Sequence, residues 1–334
     1  MKDIYFLLSS DTDPDFNPNF FRASDIHDLE GMWQGVITGI ATFRDALSKS
    51  TFTSRHGQPC ITWLLRADRQ IAEIYGDASF CYRHFERIWN RELEIGSEIG
   101  WHPHLIRRKD ASKSWDPWLG QDDDLKMLEY CFHSLRHHVD IKSVRTGWDY
   151  HSNNLMKLFN DLGLLVDASA IPGDVQTDLY NWEGTPCYPY YPSSADYRRP
   201  ANDNESSLNI IEIPVLVERL SLRFHLARYF IRTFRGLKTL RFNNYESARW
   251  RGVIITRSPG SFVRAVKQAF ELAVDKDNYI ISTFFHPSEL ISTVTLKNLL
   301  RNLETLSEMT ESAMYNLIPL TLGKVVNIAK ASIA

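Results

Sequence analysis

Short apolar runs that end in polar or charged residues recur along the chain, and each reads as a buried strand. They are IYFLLSS (4–10), CITWLLRAD (60–68), EIGWHPHL (98–105), SVRTGW (143–148), LLVDASA (164–170), LNIIEIPVLV (208–217) and YIISTFFHP (279–287). Between them, apolar residues repeat at helical spacing in FCYRHFERIWNRELEIG, LKMLEYCFHSLRHHV, SNNLMKLFNDLG and SPGSFVRAVKQAFELAV. Ser152 stands where a helix N-cap is needed and Gly163 where a helix C-terminus closes. Strand alternating with helix predicts a parallel α/β sheet, and about seven units predict an irregular (β/α)7-type barrel. Two stretches, 107–124 and 172–206, break the alternation and predict loop insertions, the second rich in proline and tyrosine. Long loops on a rigid scaffold often carry specificity. The pattern reads as a single barrel domain over 1–334, with its core in 4–290 and a helical C-terminal extension in 291–334.

Composition adds bounds. The 334 residues, 43% hydrophobic and 24% charged, give room for one barrel of about 250 residues with decorations. Net charge is −3 with no block of like charges, so no basic patch marks a nucleic-acid partner. Four cysteines (Cys60, Cys81, Cys131, Cys187) form no CxxC and read as reduced thiols. The opening MKDIYFLLSSDTDPD holds one short apolar run, too short for a signal peptide, and no apolar stretch reaches membrane-helix length. A cytoplasmic protein without a transmembrane segment is expected. Nothing in the sequence specifies an oligomeric state.

Polar groups gather where the predicted strands end, which in β/α barrels is the face that carries active sites. The first strand runs into Asp11 and Asp13, the third delivers His102 and His104, the fourth Arg145 and Trp148, and the last His286. Residues two apart on an extended chain point to one side. His102 and His104 can therefore share one divalent ion, with an aspartate as a third, oxygen ligand, which is a common makeup of a catalytic zinc site. Each piece has an ordinary reading too. Asp-Pro opens turns, an HxH can be two core or surface histidines, and a lone arginine usually serves an ion pair.

As a set, these residues resemble the polysaccharide deacetylases, carbohydrate esterase family four. SSDTD resembles that family's Thr-Phe-Asp-Asp strand end, with the two acids separated by one residue. CITWLLRAD is similar to the strand Ala-Thr-Phe-Phe. GSEIGWHPHL resembles Gly-His-Glu-Ile-Gly-x-His, with Ser97 in place of the first His. RTGWDYHSNNLMKLFNDLGLLVDASA tracks the Arg-x-Pro-aromatic motif, its helix ending in Leu-Gly, and Asp-x-Ser. EIPVLV and FFHPSEL resemble the late strands. The resemblance runs from about Ile4 to Leu290, in family order.

The resemblance implies a metal-dependent hydrolase that removes an N-acetyl or other acyl group from a saccharide, with Asp11 as catalytic base and Arg145 orienting it. It implies a Trp148 backbone N–H for the oxyanion, His286 as general acid, and Asp13 and His102 on a divalent metal such as zinc. The family's second metal histidine lies four residues after the first. That position is Ile106 here, so His104 must substitute; the motif-three proline is Gly147. Asp178 is the choice for the fourth-motif acid, and Asp68 and Trp182 join it as expected substrate contacts. Other readings remain open: a catalytically degenerate barrel that binds sugar, a hydrolase of small cyclic amides, or a glycoside hydrolase using Asp11 and Asp13.

Overall fold

A computed structural model describes residues 2–15, 31–108, 115–117, 122–176, 179–219, 250–273 and 278–333. Residues 4–8 are apolar on both faces, so they cannot lie at a wet surface, and they form the middle of the long central strand β1 (Lys2–Thr12). Around it lie β2 (Thr62–Arg66), β3 (Glu98–His102), β4 (Ser143–Val144), β5 (Val166–Asp167), β6 (Ile211–Glu212), β7 (Asn278–Phe285) and β8 (Tyr315–Leu320). They pair in parallel in the order β6-β5-β4-β3-β2-β1-β7, and β8 also pairs with β1. One parallel bridge, Val215 with Ser282, joins the two ends of the sheet and closes the curl. Helices including Ile40–Ser48, Glu86–Glu94, Asp122–Arg136, Asn153–Asp161 and Pro259–Ala273 follow the strands. Their apolar faces and one face of the sheet form a continuous core containing Trp33, Trp63, Trp89 and Trp101. This is the α/β barrel that the alternating pattern predicts.

Ser152 caps its helix by accepting the Leu155 N–H at 3.2 Å, and Gly163 closes it at φ +78°. The strands predicted over 143–148, 164–170 and 208–217 are longer than the ladders that form. Beyond two paired residues the chain bends toward the barrel mouth, and single backbone bonds continue the contact, such as Arg145 N–H to Trp101 O at 3.0 Å. The expected helical extension 291–334 is helical over Thr293–Ser312 and Val326–Ile333, but Tyr315–Leu320 between them is strand β8. The apolar pair Leu317 and Leu320 gave that strand only a faint signal. β8 lies along Lys2–Leu7 of β1, on the edge that β2 takes over from Ser9 onward. The four cysteines are free, and no helix among the described residues is long and apolar enough to cross a membrane.

One close approach fixes the mouth. Gly35 opens a single π-helical turn, Gly35–Gly39, its N–H donated to the Asp15 carboxylate at 3.0 Å. A Cβ there would lie 2.4 Å from the Pro287 carbonyl carbon, in the turn that follows His286. Gly35→Ala should force that turn outward and destabilise the fold by roughly 1–3 kcal/mol, the usual size of overpacking. Gly260→Ala, whose Cβ would meet only the end of Arg264 at 3.6 Å, is the control and should be near neutral. Chemical denaturation of both variants checks this; equal midpoints would show that Gly35 supplies no needed clearance.

Candidate active site

The strand ends bring Asp13, His102 and His104 together. His104 Nε2 lies 3.1 Å from His102 Nε2 and 3.2 Å from Asp13 Oδ1, and His102 Nε2 lies 3.7 Å from Asp13 Oδ2. Ligand atoms about 2.0–2.1 Å from a tetrahedral zinc would be roughly 3.3 Å apart, so the three atoms are spaced for one ion. Protonation fits as well. His102 Nδ1 is 2.7 Å from the Arg145 carbonyl, which can only accept, so Nδ1 carries the proton and Nε2 keeps its lone pair. Burial, then the Arg66 charge, push His104 down to about 4, which keeps its ring neutral. Burial alone would raise Asp13; the His104 and His102 rings outweigh it and hold the carboxyl well below the usual carboxylate range. An ionised carboxylate beside two imidazoles whose Nε2 atoms converge is a suitable donor set for a divalent metal.

His104 is held from three sides. Its backbone N–H donates to Asp68 Oδ2 at 3.1 Å. Its ring meets Trp148 edge-on at 5.4 Å. Its third neighbour is Gly147, where a Cβ would fall 1.9 Å from the ring's Cδ2. Gly147 is therefore required by the imidazole it abuts.

Asp11 and Arg145 form a second buried group. Arg145 Nε donates to Asp11 Oδ2 at 3.0 Å, Nη1 to the Ala168 carbonyl at 3.0 Å and Nη2 to Asp149 Oδ1 at 2.7 Å, while the guanidinium sits 3.7 Å over the Phe284 ring. Every branch of the cation is anchored, so it orients Asp11 rigidly. Among the described residues Asp11 Oδ1 has no hydrogen-bond partner, which leaves one lone-pair face of the carboxylate for a proton. Trp148 and Asp149 both take φ +54°, a conformation that costs a non-glycine residue about 1–2 kcal/mol. Burial raises Asp149 to about 6 despite its arginine.

His286 closes the mouth from β7. Its Nε2 is 4.0 Å from Asp13 Oδ2, its Nδ1 is 3.5 Å from Glu289 Oε2, and its ring is partly exposed. Burial would lower its pKa, but the hydrogen bond to Glu289 and the charges of Asp11 and Asp13 outweigh it and raise the ring to about 9.

Seven expected residues (Asp11, Asp13, His102, His104, Arg145, Trp148 and His286) thus lie around one barrel mouth. Two of the expected substrate contacts do not. Asp68 is fully buried: Oδ1 accepts the Ile71 N–H as a helix cap, and Oδ2 serves Arg66 and the His104 backbone. Trp182 is fully buried behind the site, 5.0 Å from the His151 ring and 4.9 Å from Tyr197. Each supports the site from behind instead of facing a substrate. Asp178 lies outside the described residues.

Three residues entered the site unannounced, and Gly147 entered it in a new role. Arg66 donates to Asp13 Oδ1 at 2.8 Å and is almost wholly buried. Asp149 is the second acid on Arg145, Glu289 the acid on His286, and Gly147 the clearance for His104. Glu289, three residues after His286 in HPSEL, had a local signal, since a residue at that spacing can return to the turn's start; its carboxylate accepts the His286 N–H at 2.9 Å. Arg66 had none, because its partner is 53 residues away. His151, Asp167 and Glu212 form a further buried cluster below the mouth, with His151 Nε2 and Asp167 Oδ2 2.7 Å apart.

No protein-family model matches the sequence, and no curated protein matches it. Solved structures do match in fold. A protein from Parabacteroides distasonis assigned as a glycoside hydrolase/deacetylase superposes with a TM-score of 0.62 at 14% identity, over 99% of this chain and 72% of that one. A protein from Mycobacterium smegmatis assigned as a polysaccharide deacetylase gives 0.53 at 12% identity, over 99% and 91%. An allantoinase gives 0.54 at 12% identity, over 99% and 90%. The chain therefore has the polysaccharide deacetylase fold, in a sequence far diverged from these solved examples.

Proposed function

We propose that this chain is a metal-dependent hydrolase that removes an N-acetyl or other acyl group from a sugar of a saccharide or polysaccharide precursor. One observation carries the reading: the ion-spaced triad Asp13, His102 and His104 shares a barrel mouth with an arginine-oriented carboxylate, Asp11, and a cationic histidine, His286. The fold shared with proteins assigned as deacetylases supports it.

A divalent ion on the triad, zinc by its donors, would supply Lewis acidity that polarises the acyl carbonyl and acidifies water. The protein's own groups do the rest. Asp11, held by Arg145, accepts the proton of the attacking water at its second oxygen. The Trp148 backbone N–H, on its left-handed turn, is the donor for the developing oxyanion. His286 is protonated at neutral pH and donates to the leaving amine, which cannot depart as an anion. Glu289 holds that imidazole in place and in charge.

Arg66 favours a second reading. A fixed cation already shares Asp13, and a charge so close opposes a dication. On that reading the barrel binds sugar without turnover. Metal analysis of the purified protein beside acetate release from N-acetylated saccharides decides between them. We expect one metal per chain, lost in His102→Ala and in Asp13→Ala, whereas Asp11→Asn keeps the metal and loses turnover. Stoichiometric metal persisting in the double variant His102→Ala/Asp13→Ala would sink the triad; metal-free wild type without turnover supports the binding module.

The pH dependence tests His286. Its folded pKa is raised, so the donor form is present at low pH and is lost as pH rises through that value, giving the alkaline limb of the rate profile. Glu289→Gln removes a raising interaction and should move this limb to lower pH. A bound dication lowers the absolute position, so the shift between variants is the quantity to read. His286→Ala should slow amide hydrolysis roughly 10²–10⁴-fold and an activated ester much less. Equal losses on both substrates, or an unmoved limb in Glu289→Gln, would remove His286 from the role.

A further inference from the structure

The Asp-Ala-Ser run 167–169 takes no part in the proton transfers above, yet it lies beneath the left-handed turn of the site. We infer that Asp167 is a positioning residue whose two carboxylate oxygens clamp both ends of the Thr146–His151 turn that carries Gly147 and Trp148. Its catalytic consequence rests on the deacetylase reading; the clamp itself does not.

The upstream end is held through Ser169, whose hydroxyl donates to Asp167 Oδ1 and accepts the Thr146 N–H at 3.0 Å. The downstream end is held through His151, whose Nε2 lies 2.7 Å from Asp167 Oδ2. A carboxylate only accepts, so Nε2 carries the proton. All three side chains are buried. His151 cannot follow the turn outward, because its ring is stacked on Tyr197 at 4.7 Å and blocked by Trp182 at 5.0 Å. Asp167 is itself fixed by its place in β5, paired with Val144 of β4 on one side and Glu212 of β6 on the other.

Two consecutive non-glycine residues at positive φ persist only where their surroundings over-determine them. The middle of the turn has its own restraints, Gly147 N–H to Pro103 O at 2.8 Å and Arg145 Nη2 to Asp149 Oδ1 at 2.7 Å. Those act across the site; the Asp167 clamp ties both ends to the rigid sheet. Releasing an end lets the backbone relax toward right-handed values. Gly147 then leaves the face of His104, and the Trp148 N–H leaves the position of the oxyanion. Interactions made only in the transition state are lost first, so kcat falls and KM holds.

The test uses the full chain as Ser169→Ala, His151→Phe, Asp167→Asn and the double variant Ser169→Ala/His151→Phe. Amide hydrogen exchange at Thr146 and Gly147 is compared with the helix Asn153–Asp161. Acetate release from an N-acetylglucosamine oligomer gives kcat and KM per folded molecule. Exchange in the turn should quicken by about tenfold or more while the helix is unchanged. Turnover should fall roughly 10–100-fold, the usual cost of losing an outer hydrogen-bond partner, with KM within about threefold. Both arms run through one carboxylate, and an amide keeps one oxygen acceptor, so Asp167→Asn should loosen the turn by no more than the double variant does. Unchanged exchange in the turn in Ser169→Ala and Asp167→Asn would overturn the clamp, and Ser169→Ala keeps the test open should the others fail to fold. A loosened turn with wild-type kcat would reduce Asp167 to a structural residue and overturn the positioning role. A wild type that releases no acetate while exchange behaves as expected defeats the deacetylase reading and leaves the clamp standing.

Discussion

Asp13 is a half-buried carboxylate, 22% exposed, and a group so placed gains from being paired in charge and in hydrogen bonds. Its partners are His102, His104 and Arg66, and two of them, His102 and Arg66, arrive by sheet register. In the parallel sheet Thr12 stands opposite Leu65, and Arg66 opposite His102. The next residue after Thr12 is therefore level with Arg66 and His102, and three adjacent strands place acid, cation and imidazole in one row. On the other side of β1, Ser10 is opposite Phe285, so Asp11 is level with His286. Trp101 opposite Val144 brings Arg145 level with His102. A slip of one residue in any of these ladders would turn its side chains to the opposite face. The site is thus a consequence of register, and register is set by the apolar runs that precede each functional residue.

This is why so much of the mouth was legible in the sequence. Asp11, Asp13, His102, Arg145 and His286 each end an apolar run, and strand ends on one side of a barrel must converge. What could not be read were partnerships between strands. Arg66 looked like the polar end of CITWLLRAD, and nothing within that segment marks it as the cation on Asp13. Asp68 ends the same apolar run, but it begins the following helix, and capping, Arg66 and the His104 backbone take its oxygens. Trp182 lies within the predicted insertion 172–206; that segment folds back, and the ring fills space behind His151. The short ladders of β4, β5 and β6 have a related cause. Their later residues look like strand by composition, yet their backbone leaves the sheet to build the mouth, so propensity yields to tertiary contacts.

The electrostatics of the mouth divide its groups by task. Two converging imidazoles and one strongly ionised carboxylate suit a ligand set. Asp11, locked to a fixed cation with one oxygen free, suits a base. His286, kept charged by Glu289 and the nearby aspartates, suits an acid. Neighbouring titratable groups pushed to opposite protonation states are the arrangement that proton-transfer chemistry at neutral pH requires. Arg66 is the element that does not follow from this division. Its charge stabilises Asp13 whether or not an ion is present, so the triad can keep its shape when empty, at the expense of weaker hold on a dication.

The two departures from the family motifs are physically one change. A second histidine two residues after the first, instead of four, sets its ring edge-on to the first, with the two Nε2 atoms 3.1 Å apart. There it meets the backbone of residue 147, so closely that even a Cβ would be 1.9 Å away. A proline at that position, as the motif-three pattern has it, would drive its ring into the imidazole. Glycine at 147 is thus the condition for histidine at 104. Glycine also gives up the backbone restraint that proline supplies, and the turn it begins contains two residues in the left-handed region. That turn therefore needs restraint from elsewhere: Pro103 accepts the Gly147 N–H, Arg145 holds Asp149, and Asp68 fixes the His104 backbone from the far side. A substitution that looked like erosion of a motif is compensated by three contacts, none of them adjacent in sequence to the residue it supports.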